Sequence, residues 1–86
     1  MLIKVIRAKY IKDHVIEFVF NDGLKSEVDL KNEIEGEIFM PLKDLQYFKT
    51  FSLNRWTIEW ENGADFAPEF LYQLAIEKEK RAHKSI

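Results

Sequence analysis

The sequence predicts an α+β fold: a small antiparallel sheet of three to four strands, a short middle helix, and a C-terminal helix packed on one face, in the order β-β-β-α-β-α. Three observations carry this expectation. Residues 14–20 (HVIEFVF) and 24–30 (LKSEVDL) alternate in side-chain character around Asn21-Asp22-Gly23, a trio that tolerates the positive φ of tight hairpin turns. Residues 55–60 (RWTIEW) set Trp56, Ile58 and Trp60 at alternate positions, the period of a half-buried strand. Phe66, Phe70 and Leu74 recur every four residues, as do Leu71 and Ala75, which is the spacing of one helix face.

Taken in order, residues 2–10 (LIKVIRAKY) form a first strand in which Ile3 and Val5 share one parity and Leu2 and Ile6 the other, so both faces gain some cover. Lys12-Asp13 breaks it. In the second strand, Ile16, Phe18 and Phe20 face one way and Val15, Glu17 and Val19 the other. The return strand puts Leu24, Ser26, Val28 and Leu30 on one side. KNEIEGE at 31–37 is a loop or single helical turn. Pro41 sits at or just before a helix start, where its missing N–H costs least; the spacing of Leu42, Leu45 and Phe48 predicts a helix over roughly 43–49. Ser52-Leu53-Asn54 reads as a connector. After the strand at 55–60, Asn62-Gly63 reverses the chain. Asp65 then fits an N-cap, with Pro68 and Glu69 in the first turn of a helix running to about residue 80. The expected organisation is one domain over 1–86, with a core at about 2–76 and a charged helix end or tail at 77–86.

With 86 residues, a single small core has to be efficient, and an aromatic content of 14% supplies the large rings that make it so. The chain has no cysteine, which excludes disulfides and thiolate metal sites and favours a reducing interior. No apolar run approaches the roughly 20 residues of a membrane span, and charged residues interrupt the N-terminal apolar stretch too often for a signal peptide. A cytoplasmic location is expected, with no membrane contact. A formal net charge of −2 gives no general attraction to nucleic acid.

Phe20-Asn21-Asp22-Gly23, Val28-Asp29-Leu30, Phe39-Met40-Pro41-Leu42 and Trp60-Glu61-Asn62-Gly63-Ala64-Asp65 occur in this order, followed by Pro68-Glu69 and Leu71-Tyr72. The ordered set resembles the bacterial family catalogued as domain of unknown function 2442, over about residues 5 to 75. The chain departs from that family's pattern at Glu61, where proline is usual, and near Trp56, where glycine is common. The resemblance implies a small α+β domain with no established catalytic activity. Some relatives carry an added DNA-binding helix-turn-helix, and some are encoded beside a small toxin. As this sequence stops soon after the shared core, an antitoxin role is expected to rest on direct protein binding.

No catalytic constellation is visible. His14 and His83 lie far apart in sequence without a ligand partner at metal spacing, the three glycines are isolated in turns, and Ser26 and Ser52 lack a nucleophile elbow. Asp22, Asp29 and Asp65 are explained by turn, sheet-edge and cap roles. No cofactor, no metal and no enzymatic activity are expected. The basic residues Lys78, Lys80, Arg81 and Lys84 are interleaved with Glu77 and Glu79, and Glu77–Arg81 is a natural helix pair. A solvated helix is therefore favoured over a nucleic-acid patch. The expected function is a protein-binding module, with a protein partner or a second copy engaged through Tyr47, Trp56, Trp60 and Tyr72 or through an exposed strand edge. The alternatives are a nucleic-acid-associated regulatory domain using the basic end, and a small-ligand binder around Asn62–Asp65.

Overall fold

Asn21-Asp22-Gly23 organises the first half of the molecule. In the computed structural model, which describes residues 2–83 and side chains from Leu2 through Lys80, Phe20 N–H donates to the Leu24 carbonyl at 2.9 Å and Gly23 N–H to the Phe20 carbonyl at 2.9 Å. Gly23 has φ +93°, a conformation open to glycine without a Cβ penalty. The Asp22 carboxylate accepts from Leu24 N–H at 3.0 Å. The hairpin joins β2 (Val15–Phe20) to β3 (Lys25–Asp29), and β1 (Val5–Lys12) pairs with the other side of β2, giving an antiparallel sheet of order β1-β2-β3.

The mixed parity of the first strand has a structural cause. Val5 pairs with Phe20 but Arg7 with Val19, so one extra residue bulges from β1. Before the bulge the odd-numbered Val5 points into the core; after it the even-numbered Ala8 and Tyr10 do. The ladder begins at Val5 rather than residue 2 because the preceding residues are held by a side chain. Asn21 Nδ2 donates to the Leu2 carbonyl and its Oδ1 accepts from Lys4 N–H.

The helix expected over 43–49 is divided. A 3-10 turn at Lys31–Glu33 is followed by a 3-10 helix at Glu37–Lys43 with Pro41 inside it; then Asp44 turns extended and its carboxylate caps α1 (Leu45–Phe48) by accepting from Gln46 N–H. An N-cap residue has non-helical backbone, so Asp44 separates the two helices. Ser52-Leu53 is β4, not a connector. It pairs with β5 (Ile58–Glu59) in a second, two-stranded sheet, which adds a strand to the predicted order. Only the end of RWTIEW is strand: Thr57 and Ile58 are both buried and Trp56 is exposed, so alternation fails there.

Trp60-Glu61-Asn62-Gly63-Ala64 repeats the geometry of Phe20-Asn21-Asp22-Gly23-Leu24. Trp60 N–H donates to the Ala64 carbonyl, Gly63 N–H to the Trp60 carbonyl, Gly63 has φ +93°, and Asn62 Oδ1 accepts from Ala64 N–H. The turn returns Asp65 to bridge with Glu59. This corrects the N-cap assignment. The α2 helix (Pro68–His83) begins three residues later, and the Ala67 carbonyl accepts from Phe70 and Leu71 N–H, placing Ala67 at the cap. Pro68 at the first helical position fixes the start, since the residue before proline is held out of helical conformation. Residues 77–83 continue α2, so the charged segment is a helix end through His83; 84–86 lie outside the described residues.

The core lies between the inner face of the three-stranded sheet (Ile16, Phe18, Phe20, Val28, Leu30) and the opposing Leu42, Phe48, Ile58, Trp60, Phe66, Leu71 and Ala75. Among the described side chains of α2, Leu71 and Ala75 are the buried ones, while Phe70 remains substantially exposed. Among the described residues every buried side-chain polar atom is hydrogen-bonded, as a close-packed interior requires.

Candidate functional site

Asn54 builds the most exposed aromatic position among the described side chains. Its Oδ1 accepts from Trp56 N–H at 2.7 Å and Thr57 N–H at 2.8 Å, its Nδ2 donates to Glu59 Oε1 at 2.7 Å, and its own N–H donates to the Thr57 carbonyl. An asparagine that satisfies neighbouring backbone donors closes a turn without a longer ladder. The Trp56 carbonyl accepts from Val5 N–H at 2.8 Å, tying the turn to the edge of β1. Thr57 Oγ1 donates to the Phe66 carbonyl at 2.6 Å, tying it to the approach to α2. The turn is thus anchored on three sides while the Trp56 side chain stands 42% exposed. Lys4 Nζ lies 5.5 Å from its ring centroid, a cation–π distance.

An open cleft of about 400 Å³ runs beside this turn, its apolar lining supplied by Leu2, Ile3, Trp56, Ala67 and Pro68, with Asp65 and Glu69 at its polar positions. Leu2 is 61% exposed. The start of α2 forms one wall, because Pro68 sets where the helix begins.

The four residues singled out from the sequence are not brought together. Trp56 is at the cleft. Trp60 is 1% exposed; its ring packs against Phe48 and Phe66, and its indole N–H donates to the Phe48 carbonyl at 2.9 Å. A partner docking on the folded chain has no access to it, so Trp60 is corrected from docking residue to core. Tyr47 is half-buried, its hydroxyl accepting from Asn62 N–H. Tyr72 packs edge-on against Phe20 at 5.0 Å and donates its hydroxyl to the Asp22 carboxylate. That bond, first, and the one from Leu24 N–H hold the Asp22 carboxyl below its ordinary range; the same bond to Asp22 raises the Tyr72 phenol. Sequence reasoning missed Asn54, placed in a connector, and Leu2 and Pro68 as cleft walls. An Asn two residues before an isolated Trp was the available signal for the first.

The polar groups around Asn62 are engaged in structure: Asn62 Nδ2 donates to the Ile38 carbonyl, and its other groups close the turn and meet Tyr47. Asp65, by contrast, faces the cleft. His14 Nε2 donates to the Leu42 carbonyl, with its ring edge-on to Phe48 at 4.7 Å. Among the described residues no group of three or more His, Asp or Glu is placed to hold a metal ion. No helix among them is long and apolar enough to cross a membrane. At the basic end, Lys78 Nζ donates to the Glu27 carbonyl; the side chains of Arg81, His83 and Lys84 lie outside the description.

Comparison with known families gives one decisive result: the family described as Protein of unknown function (DUF2442) matches residues 5–77. The chain belongs to DUF2442. A search of curated proteins finds no match, and neither does a search of solved structures. The DUF2442 match spans the Asn54 turn, the Gly23 and Gly63 turns and the buried Leu71 and Ala75 of α2, while the Leu2 and Ile3 wall of the cleft precedes it.

Proposed function

We propose that this DUF2442 chain is a non-catalytic protein-binding module of the cytoplasm that docks its partner through Trp56 and the cleft beside it. The observation that carries the reading is the anchored turn: Asn54 fixes the backbone on both sides of an exposed tryptophan. A tryptophan presented on a pre-ordered backbone loses little further entropy when it is buried, and such residues dominate interface energetics. Leu2 and Pro68 extend the apolar contact, and Asp65 and Glu69 give the rim polar character, in keeping with interface anatomy. An antitoxin bound to a small toxin is the particular form that the family resemblance supports.

The test is affinity capture of tagged protein from its native cells, with mass spectrometry, comparing wild type and Trp56→Ala. Recovery of one stoichiometric protein by wild type, lost in the folded variant, supports the reading. Growth arrest by that protein expressed alone, relieved by co-expression, supports the antitoxin form. Equal capture by the variant, or recovery of nuclease-sensitive material alone, sinks it and promotes the nucleic-acid alternative. A second reading has one observation in its favour: a cleft of about 400 Å³ beside Asp65 falls within the size range of small-ligand sites. Co-purification of a small molecule lost in Asp65→Ala would favour it.

A further inference from the structure

The outer edge of β3 carries an inference that goes beyond the Trp56 surface. Phe20 N–H donates to the Leu24 carbonyl and Leu30 N–H to the His14 carbonyl, and Phe18 and Ile16 pair with Ser26 and Val28. Backbone groups alternate sides along a strand. The even-numbered residues of β3 therefore spend their N–H and C=O groups on β2, and those of Lys25, Glu27 and Asp29 point away from the sheet. Lys78 confirms this orientation, since its ammonium reaches the Glu27 carbonyl at 2.6 Å from the outer side. A lysine occupies the acceptor that the N–H of an added strand would take.

Across from this edge, Leu74, Glu77 and Lys78 of α2 form the second wall of a concavity of about 590 Å³, closed at one end by Asn32 and Glu33. Tyr72 of α2 packs on Phe20, an inner-face residue, so the helix lies on the core side of the sheet. An incoming strand would turn alternate side chains toward half-buried Leu74 on the helix side and toward Lys25, Glu27 and Asp29 on the open face, where Lys25 already lies 4.0 Å from Glu17 and so leaves Glu27 and Asp29 as the carboxylates of the row. Carboxylates outnumber ammonium groups in this concavity: Glu27, Asp29, Glu33 and Glu77 against Lys12 and Lys78.

We propose that the β3 edge and α2 form a docking groove for an extended segment of a partner protein that alternates basic and apolar residues and adds a fourth strand to the sheet. Main-chain bonds to Lys25, Glu27 and Asp29 supply the attachment, and cross-strand pairing with Glu27 and Asp29 selects lysine or arginine. Five residues of β3 span about 17 Å, room for a segment of similar length. Lys78 acts as a displaceable guard on the edge while the groove is empty.

The probe is the peptide acetyl-Lys-Val-Lys-Val-Lys-Val-amide, read by backbone amide shifts of isotopically labelled protein. Its Glu-Val counterpart and two versions N-methylated at alternate residues, one in each register, run beside it. The expected result is saturable shifts at Lys25, Glu27, Asp29, Leu74 and Glu77, absent with the Glu-Val peptide and lost with one N-methylated version. Lys78→Ala should tighten binding several-fold by freeing the Glu27 carbonyl, and Trp56→Ala should leave it unchanged. That last arm separates this groove from the Trp56 surface, so either can fail alone. The proposal is overturned if the Lys-Val peptide gives no shifts at millimolar concentration, if both N-methylated versions bind as well as the parent, or if the shifts fall on the Asn54 turn. Concentration-dependent shifts of β3 in protein alone would overturn the committed occupant, because the edge would then pair with a second copy.

Discussion

Trp56 and Trp60 stand four residues apart and behave as opposites. Trp60 fills the core and satisfies the last carbonyl of α1 with its indole N–H. Trp60→Ala should cost about 3–5 kcal/mol through the cavity it leaves, and Trp60→Phe should still cost about 1–3 kcal/mol by orphaning the Phe48 carbonyl. Trp56→Ala should change stability by less than about 1 kcal/mol, because the ring borders an open cleft, so its loss encloses no cavity, and the Asn54 bonds stay in place. Urea unfolding of the three variants checks the contrast, and equal losses at both positions would refute the placement. Asp22 and Tyr72 give a second contrast, in pH. The Asp22 carboxyl is lowered from 3.8 by the Tyr72 hydroxyl, so its contribution is fully present above pH 3.8 and disappears as pH falls through its folded value. The Tyr72 phenol is raised from 10.0, so its contribution is fully present below pH 10 and disappears as pH rises through its folded value. Stability of Tyr72→Phe should therefore decline less steeply than wild type at both extremes, with the two curves parallel between them. Parallel curves throughout would show that the tie from turn to helix contributes nothing.

At the scale of elements, local signals were legible where a turn's own residues determine it. Asn21-Asp22-Gly23 predicts a hairpin from positive-φ tolerance, and the structure has that hairpin with the alternating burial of Ile16, Phe18, Phe20, Ser26, Val28 and Leu30. Asn62-Gly63 carries the same chemistry, but its second arm is a single bridging residue rather than a strand, so periodicity gave no warning that it too closes a hairpin. The Asp65 cap then failed through competition: the bridge to Glu59 and the fixed φ of Pro68 decide where α2 begins. Alternation over RWTIEW misled for a related reason, because Asn54 turns the chain before the pleat can develop. Two expectations follow for these turns. Gly63→Ala places a Cβ at φ +93° and should cost about 1–2 kcal/mol, although open space surrounds the position apart from Ile38 Cδ1 at 4.0 Å; a neutral result in thermal unfolding would contradict the turn geometry. Asn54→Ala removes the acceptor for two backbone N–H groups and should cost about 1–2 kcal/mol while loosening Trp56. Time-resolved anisotropy of Trp56 in a Trp60→Phe background would show that loosening as a faster depolarisation.

For the whole molecule, the α+β class and the order of its principal elements followed from periodicity, whereas the arrangement of the surface did not. Which tryptophan is buried depends on long-range packing: Trp60 is enclosed by Phe48 and Phe66, twelve residues before it and six after. The Trp56 cleft likewise joins the N-terminal Leu2 to the start of α2, a meeting that no local pattern encodes. The reach of α2 shows how far its amphipathic stripe matters. Among its described side chains the fully buried ones are Leu71 and Ala75, whereas Glu77, Lys78, Glu79 and Lys80 are all exposed. The stability of a helix in a small domain comes mainly from the face it buries rather than from its exposed turns. A chain ending after Ile76 should therefore keep the fold, losing about 1 kcal/mol for the exposed Lys78 bond to Glu27 and the fraying of one helical end. The family match ends at residue 77, one residue beyond that truncation point. Circular dichroism should show the loss of roughly two helical turns with the unfolding transition still cooperative, and the β3 amides should exchange faster where Lys78 no longer covers the edge. A collapse of cooperativity on this truncation would mean that the charged turns hold α2 against β3 and that the core alone does not.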